Sequence, residues 1–153
     1  MRVFWIKLSS TFLGLGYFPV APGTFGSLGG IAIFYLVKDS ILTYSAVTLL
    51  LLLLGLLVTP AAERIFKKKD PRYIVIDEVC GMLISLIFVA YDLRLVVIGF
   101  FIFRLLDTLK PPPADRLQNL HGGLGVMSDD IVAGIYTNVL LQIVARSTVF
   151  RIS

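Results

Sequence analysis

The chain has 153 residues, of which 57% are apolar and 16% charged, with 14 Lys and Arg against 10 Asp and Glu. Its mean hydropathy of +0.88 excludes disorder, a collagen-like fold and an ordinary soluble domain, because one core of this size cannot hide that much apolar surface without lipid or a partner. Cys80 stands alone, which excludes an internal disulfide and a cysteine metal knuckle. A single domain over residues 1–153 is expected.

In chain order, Leu8 to Val37 is a 30-residue stretch with no charge, but Pro19, Pro22 and six glycines interrupt it, so it cannot be one straight helix. A short N-terminal helix, a loop near 19–26 and a helix over 27–37 are predicted. A signal peptide competes for the same segment, but no small-residue cleavage site follows. Ile41 to Val58 is 18 residues free of charge and proline. As a helix it would be roughly 27 Å long, close to the ~30 Å hydrocarbon core of a bilayer. Further helices are predicted over 74–91, 94–109 and 129–145. These carry polar ends, Asp77-Glu78, Arg104 to Asp107 and Asp129-Asp130, which would have to sit inside the bundle or at the interface. The expected architecture is an all-α integral membrane bundle of about five helices plus the short N-terminal one.

With these helices, ten of the 14 basic residues fall on one side, Arg64, Lys67, Lys68, Lys69 and Arg72 among them. The positive-inside rule makes that side cytoplasmic. Every unusual polar motif lies on the same side. The basic run 64–72 fits anionic headgroups there, or acts as a topology signal only.

Four motifs carry potential chemistry. Pro22-Gly23-Thr24-Phe25-Gly26-Ser27 reads as a Gly-rich turn before a helix, where N–H groups and hydroxyls of Gly23, Thr24 and Ser27 could meet a phosphate. A simple tight turn explains it equally. Asp77 and Glu78 open an apolar helix, either as dipole partners or as site residues. Neighbours on a helix are about 100° apart, so the two are not expected to serve one ion as equal ligands. Arg104, Asp107 and Lys110 share one helical face before Pro111-Pro112-Pro113, as a snorkelling pair with a counter-ion or as a site. His121-Gly122-Gly123-Leu124-Gly125 leads to Ser128-Asp129-Asp130, where Ser128 or Asp129 could cap the next helix. His121, the one histidine, could donate a proton, bind metal or simply occupy a loop.

Taken together, five acids, two cations, one histidine and two Gly-rich loops gather on one predicted face. Carboxylates without thiolates suit a hard divalent cation, Mg²⁺ above all, and Arg and Lys beside them suit phosphate. That combination points to metal-assisted phosphoryl chemistry at a membrane. Cysteine-phosphatase, aspartyl-phosphate and two-histidine motifs do not occur.

These residues are similar to a known family. PGTFGS at 22–27, IDEVCGM at 76–82, FRLLDTLKP at 103–111 and HGGLGVMSDDIVAG at 121–134 resemble, in order and spacing, the phosphatidylglycerophosphatase A family. The resemblance implies an all-α, Mg²⁺-dependent phosphatase of the bacterial cytoplasmic membrane that converts phosphatidylglycerophosphate to phosphatidylglycerol and phosphate. It implies site acids Asp77, Glu78, Asp107, Asp129 and Asp130, with Arg104, Lys110 and His121 nearby. Metal ligation is expected of Asp77, Asp107, Asp129 and Asp130, phosphate binding of Arg104, Lys110 and the 22–27 turn, and leaving-group protonation of His121. The expected partners are a phospholipid substrate and the membrane, with no nucleic acid and the oligomeric state open. Two other classes remain at this point: a non-catalytic membrane protein with an intramembrane ion path, and a soluble helical domain that oligomerises.

Overall fold

The computed structural model describes residues 2–117, 120 and 122–146, and the regular structure among them is entirely helical. The helices are α1 (Arg2–Ser10), α2 (Pro22–Val37), α3 (Ile41–Phe66), α4 (Ile76–Leu86), α5 (Leu93–Leu109), α6 (Ala114–Leu117) and α7 (Gly123–Arg146), with a 3₁₀ turn at Leu15–Tyr17.

α4 is the hub. Nine of its 11 residues are buried, and α2, α3, α5 and α7 all pack on it. A helix that is apolar around most of its circumference has to be enclosed in this way. At 11 residues it is about 16 Å long and too short to cross a bilayer. The expected helix over 74–91 therefore stops five residues early. Its C-terminal carbonyls are taken by α7: the Asn138 amide donates to Ser85 O at 3.1 Å and Ile87 O at 2.7 Å, and Gln142 donates to Phe88 O at 3.0 Å. These bonds satisfy acceptors that a helix end otherwise leaves open. The chain then turns back through Asp92, whose carboxylate accepts from Arg94 N at 2.7 Å and starts α5.

Close approach around α4 is built from small residues. A Cβ added at Gly134 of α7 would lie 2.5 Å from Gly81 O, and one at Gly81 would lie 2.6 Å from the Phe103 ring and 2.8 Å from Asp130 O. A Cβ at Gly30 of α2 would lie 2.8 Å from Val79 O. Side chains at these positions would push α2, α5 and α7 off the hub.

Two expected loops are helical instead. Residues 22–27 form the first turns of α2, not a turn before it, because Pro22 occupies the first helical position, where its missing N–H costs nothing. α7 begins at Gly123, six residues before the expected start, so Ser128 and Asp129 lie inside the helix and do not cap it. The reason lies in α3. That helix runs through Pro60 to Phe66, eight residues beyond the expected end, and Pro60 has no N–H to offer the carbonyl of Leu56 one turn back. Gly123 seats its backbone against that carbonyl, where a side chain would collide with it. Gly122, at φ +72°, makes the left-handed turn that leads in.

Among the described residues two helices, α3 and α7, are long and apolar enough to cross a membrane, whereas α2 is shorter.

Candidate active site

The starts of α2, α4 and α7 and the ends of α3 and α5 meet at one end of the bundle. Here the acids separate into two groups. One carboxylate oxygen from each of Asp77, Glu78 and Asp130 lies within 4.8 Å of the other two. The other acids are matched with cations: Arg104 Nη1 donates to Asp107 Oδ2 at 2.6 Å, and Lys110 Nζ donates to Asp129 Oδ2.

Local structure explains the grouping. Asp77 and Glu78 stand in the first turn of α4, where the positive end of the helix dipole favours anions. Asp130 stands in the second turn of α7 and reaches α4 because Gly81 and Gly134 let the two helices touch. The 100° helical offset argued against Asp77 and Glu78 sharing an ion, yet their oxygens do share this space. The offset constrains Cβ directions, and the longer Glu side chain can close the gap.

The electrostatics of the trio are unfavourable on their own. Asp77 is 5% exposed and Asp130 3% exposed. Burial, and then the neighbouring Glu78 charge, hold the Asp77 carboxyl well above the usual carboxylate range. Burial, opposed by the hydrogen bond with Asp77, pushes Glu78 up to about 8. Glu78 Oε2, Ser128 Oγ, Asp129 Oδ1 and Asp130 Oδ1 are buried without a hydrogen-bond partner. Buried acceptors of this kind are costly unless something meets them. The donor set is oxygen only, so it fits a hard divalent cation.

Gly23 is buried in the first turn of α2, directly against the Glu78 carboxylate, and its added Cβ would lie 3.0 Å from Arg104 Nη1. The 22–27 segment thus reaches the site through backbone packing. Ser27 is fully buried and its hydroxyl donates to Gly23 O at 3.0 Å, so it is engaged inside its own helix. Thr24 N donates to Ala21 O at 2.9 Å. The Ser27 hydroxyl and the Thr24 N–H are thus both engaged within the chain. His121 lies outside the described residues.

Three residues escaped the sequence reading. Gly81 and Gly134 set the α4–α7 approach, and a small residue inside an otherwise apolar helical run was the available signal. Asp70 sits in the basic connection after α3, where its backbone N–H donates to Glu63 Oε1 at 2.8 Å. Burial and the charge of Asp129 raise its carboxyl. Nothing in the local sequence marks that residue as a neighbour of the site.

The family model of phosphatidylglycerophosphatase A matches residues 8–145, which includes all four motifs. The chain belongs to the phosphatidylglycerophosphatase A family. It is 39% identical over 145 residues to the phosphatidylglycerophosphatase A of Escherichia coli (strain K12), covering 93% of this chain and 84% of the relative. It is 31% identical over 140 residues to the Haemophilus influenzae protein of the same name, covering 89% and 86%. A Bacteroides thetaiotaomicron protein with the provisional name phosphatidylinositol-3-phosphatase is 34% identical over 145 residues, covering 89% and 91%. No solved structure matches.

Proposed function

We propose that the chain hydrolyses the terminal phosphomonoester of phosphatidylglycerophosphate, giving phosphatidylglycerol and inorganic phosphate. It is a phosphoric monoester hydrolase, in keeping with its family and with the names of its relatives. The observation that carries the reading is the trio of Asp77 and Asp130, both buried, and half-buried Glu78 beside Arg104. We assign these three acids, with Asp129 bordering them, as the holders of Mg²⁺. When bound, the ion supplies Lewis-acid polarisation of a phosphoryl oxygen and a more acidic water.

The chain's own residues do the rest. Arg104, fixed by Asp107, presents a fork of N–H donors to the phosphoryl oxygens. Lys110, fixed by Asp129, adds a second positive charge at the mouth of the site. Gly23 keeps the α2 backbone close enough to exclude water from one side of Glu78 and Arg104. In hydrolysis the water oxygen bonds to phosphorus, the bond from phosphorus to the glycerol oxygen breaks, and that oxygen takes a proton. His121 is our candidate for the proton donor. The concentration of Lys and Arg at this end of the bundle supports a cytoplasmic orientation in the bacterial inner membrane.

The test is phosphate release by detergent-purified protein from phosphatidylglycerophosphate, with Mg²⁺ and with a chelator. Release that requires the ion and is lost in Asp77→Asn and Asp130→Asn supports the reading. Equal release under chelation overturns the metal assignment. Release from phosphatidylinositol 3-phosphate alone overturns the substrate assignment and favours the chemistry named for the Bacteroides relative.

A further inference from the structure

An apolar groove opens between α5 and α7, directly below the Lys110–Asp129 pair. It is lined by Leu106, Pro111, Ile135, Tyr136, Val139 and Leu140 and encloses about 390 Å³, a volume in the ordinary range for ligand pockets. We infer that this groove holds one acyl chain of the lipid whose phosphate reaches Asp77, Glu78 and Asp130. The inference rests on the lipid-phosphatase reading above.

Continuity with the polar site selects this occupant. On α5, Leu106 lies one helical turn below Lys110, whose backbone N–H donates to Leu106 O at 2.8 Å. On α7, Asp129, Tyr136 and Leu140 fall at i, i+7 and i+11 and share one face. Each wall of the groove is therefore headed by one member of the ion pair, and Tyr136 is about 10.5 Å along α7 from Asp129. The Tyr136 hydroxyl donates to Pro112 O at 2.7 Å, which ties the proline segment to α7 and closes the upper rim. A lipid seated here has its chain in hydrocarbon-like surroundings and its headgroup at the cations in one extended pose. The exposed leucines of α3, Leu50, Leu53 and Leu57, face outward and can be covered by any lipid.

The experiment uses phosphatidylglycerophosphate carrying a photoreactive diazirine near the middle of one acyl chain, mixed with full-length protein in phosphatidylcholine–detergent micelles. Adducts are mapped by mass spectrometry. The expected result is adducts concentrated on residues 135–140, reduced at least fivefold in Val139→Trp, which fills the groove from a half-exposed position. Ile135→Trp provides a second filling variant should the first fold poorly. Kinetics add a readout independent of crosslinking: KM for the long-chain substrate rises about tenfold in the filled variants, while hydrolysis of a short-chain analogue is unchanged. Adducts spread evenly over α3 and α7, or displaced equally by extra phosphatidylcholine, overturn the inference. So does equal slowing of long- and short-chain substrates. Groove-specific adducts without any phosphate release would instead refute the hydrolase reading and keep the groove.

Discussion

α3 and α7 pass the same test of length and hydropathy, yet they do different work. Only 17% of the apolar window of α3 is buried, against 56% for α7. α3 turns most of its leucines outward and carries its charges beyond the apolar run. α7 carries two buried aspartates in its second turn and spends its surface on α3, α4, α5 and α6. Hydropathy averages over a helix and so treats a helix with outward leucines and one with enclosed acids alike. Burial of polar atoms separates them, because an acid enclosed by protein needs a partner and an outward leucine does not.

The largest expected contrast comes from removing charge on one helix and bulk on the other. Asp130→Asn should lower phosphate release by on the order of 10²–10³-fold, the scale seen when a group that stabilises the reacting charge is lost. Leu57→Ala, at a position 77% exposed on α3, should leave release within about twofold, as for surface changes away from any site. Parallel assays in one detergent check both. Comparable losses from the two variants would erase the distinction.

Glycines give the next contrast. Gly134→Ala places a methyl against the Gly81 carbonyl, 2.5 Å away, a backbone atom that cannot move aside alone. It should cost about 1–3 kcal/mol and disturb the acid trio, lowering both thermal stability and activity. Gly55→Ala on α3 meets the end of the flexible Met127 side chain at 2.6 Å, so its cost should be under about 1 kcal/mol. Thermal unfolding of the two variants reads the difference.

Much of this was legible in the sequence, and the failures have physical causes. α5 follows the expected 94–109 to within one residue because Asp92 caps its start and three prolines end it. The acids were found because carboxylates in apolar surroundings are expensive wherever they lie. Their partners were legible only within a helix. Asp107 goes to Arg104 on its own helix, as the i, i+3 spacing allowed, but Asp129 goes to Lys110, 19 residues away on another element. The Gly-rich segments read as loops because propensity disfavours glycine in helices. Here tertiary contact overrides propensity: backbone must meet Glu78 at Gly23 and the Leu56 carbonyl at Gly123. α4 looked long because its apolar run continues past Leu86, and only the amides of Asn138 and Gln142 show where it stops.

A further contrast is a pH dependence that belongs to α4. Glu78 is raised from 4.5 to about 8 in the metal-free fold. The folded state therefore holds its proton more tightly than the unfolded chain. The corresponding stability is present in full below about pH 4.5 and is lost as pH rises toward 8. The melting temperature of metal-free protein should fall over that window, and added Mg²⁺ should raise it more at pH 8 than at pH 5. Mg²⁺ stabilisation that is equal at both values would contradict the assignment of Glu78 to the ion.

The most direct measurement is anomalous diffraction, or electron spin resonance with oxygen-17 labelling, on protein loaded with Mn²⁺. Assignment of the metal to the trio predicts one strongly bound ion contacting oxygens of Asp77, Glu78 and Asp130, lost in Asp130→Asn. An ion found elsewhere, or binding undiminished in Asp77→Asn and Asp130→Asn together, would contradict it.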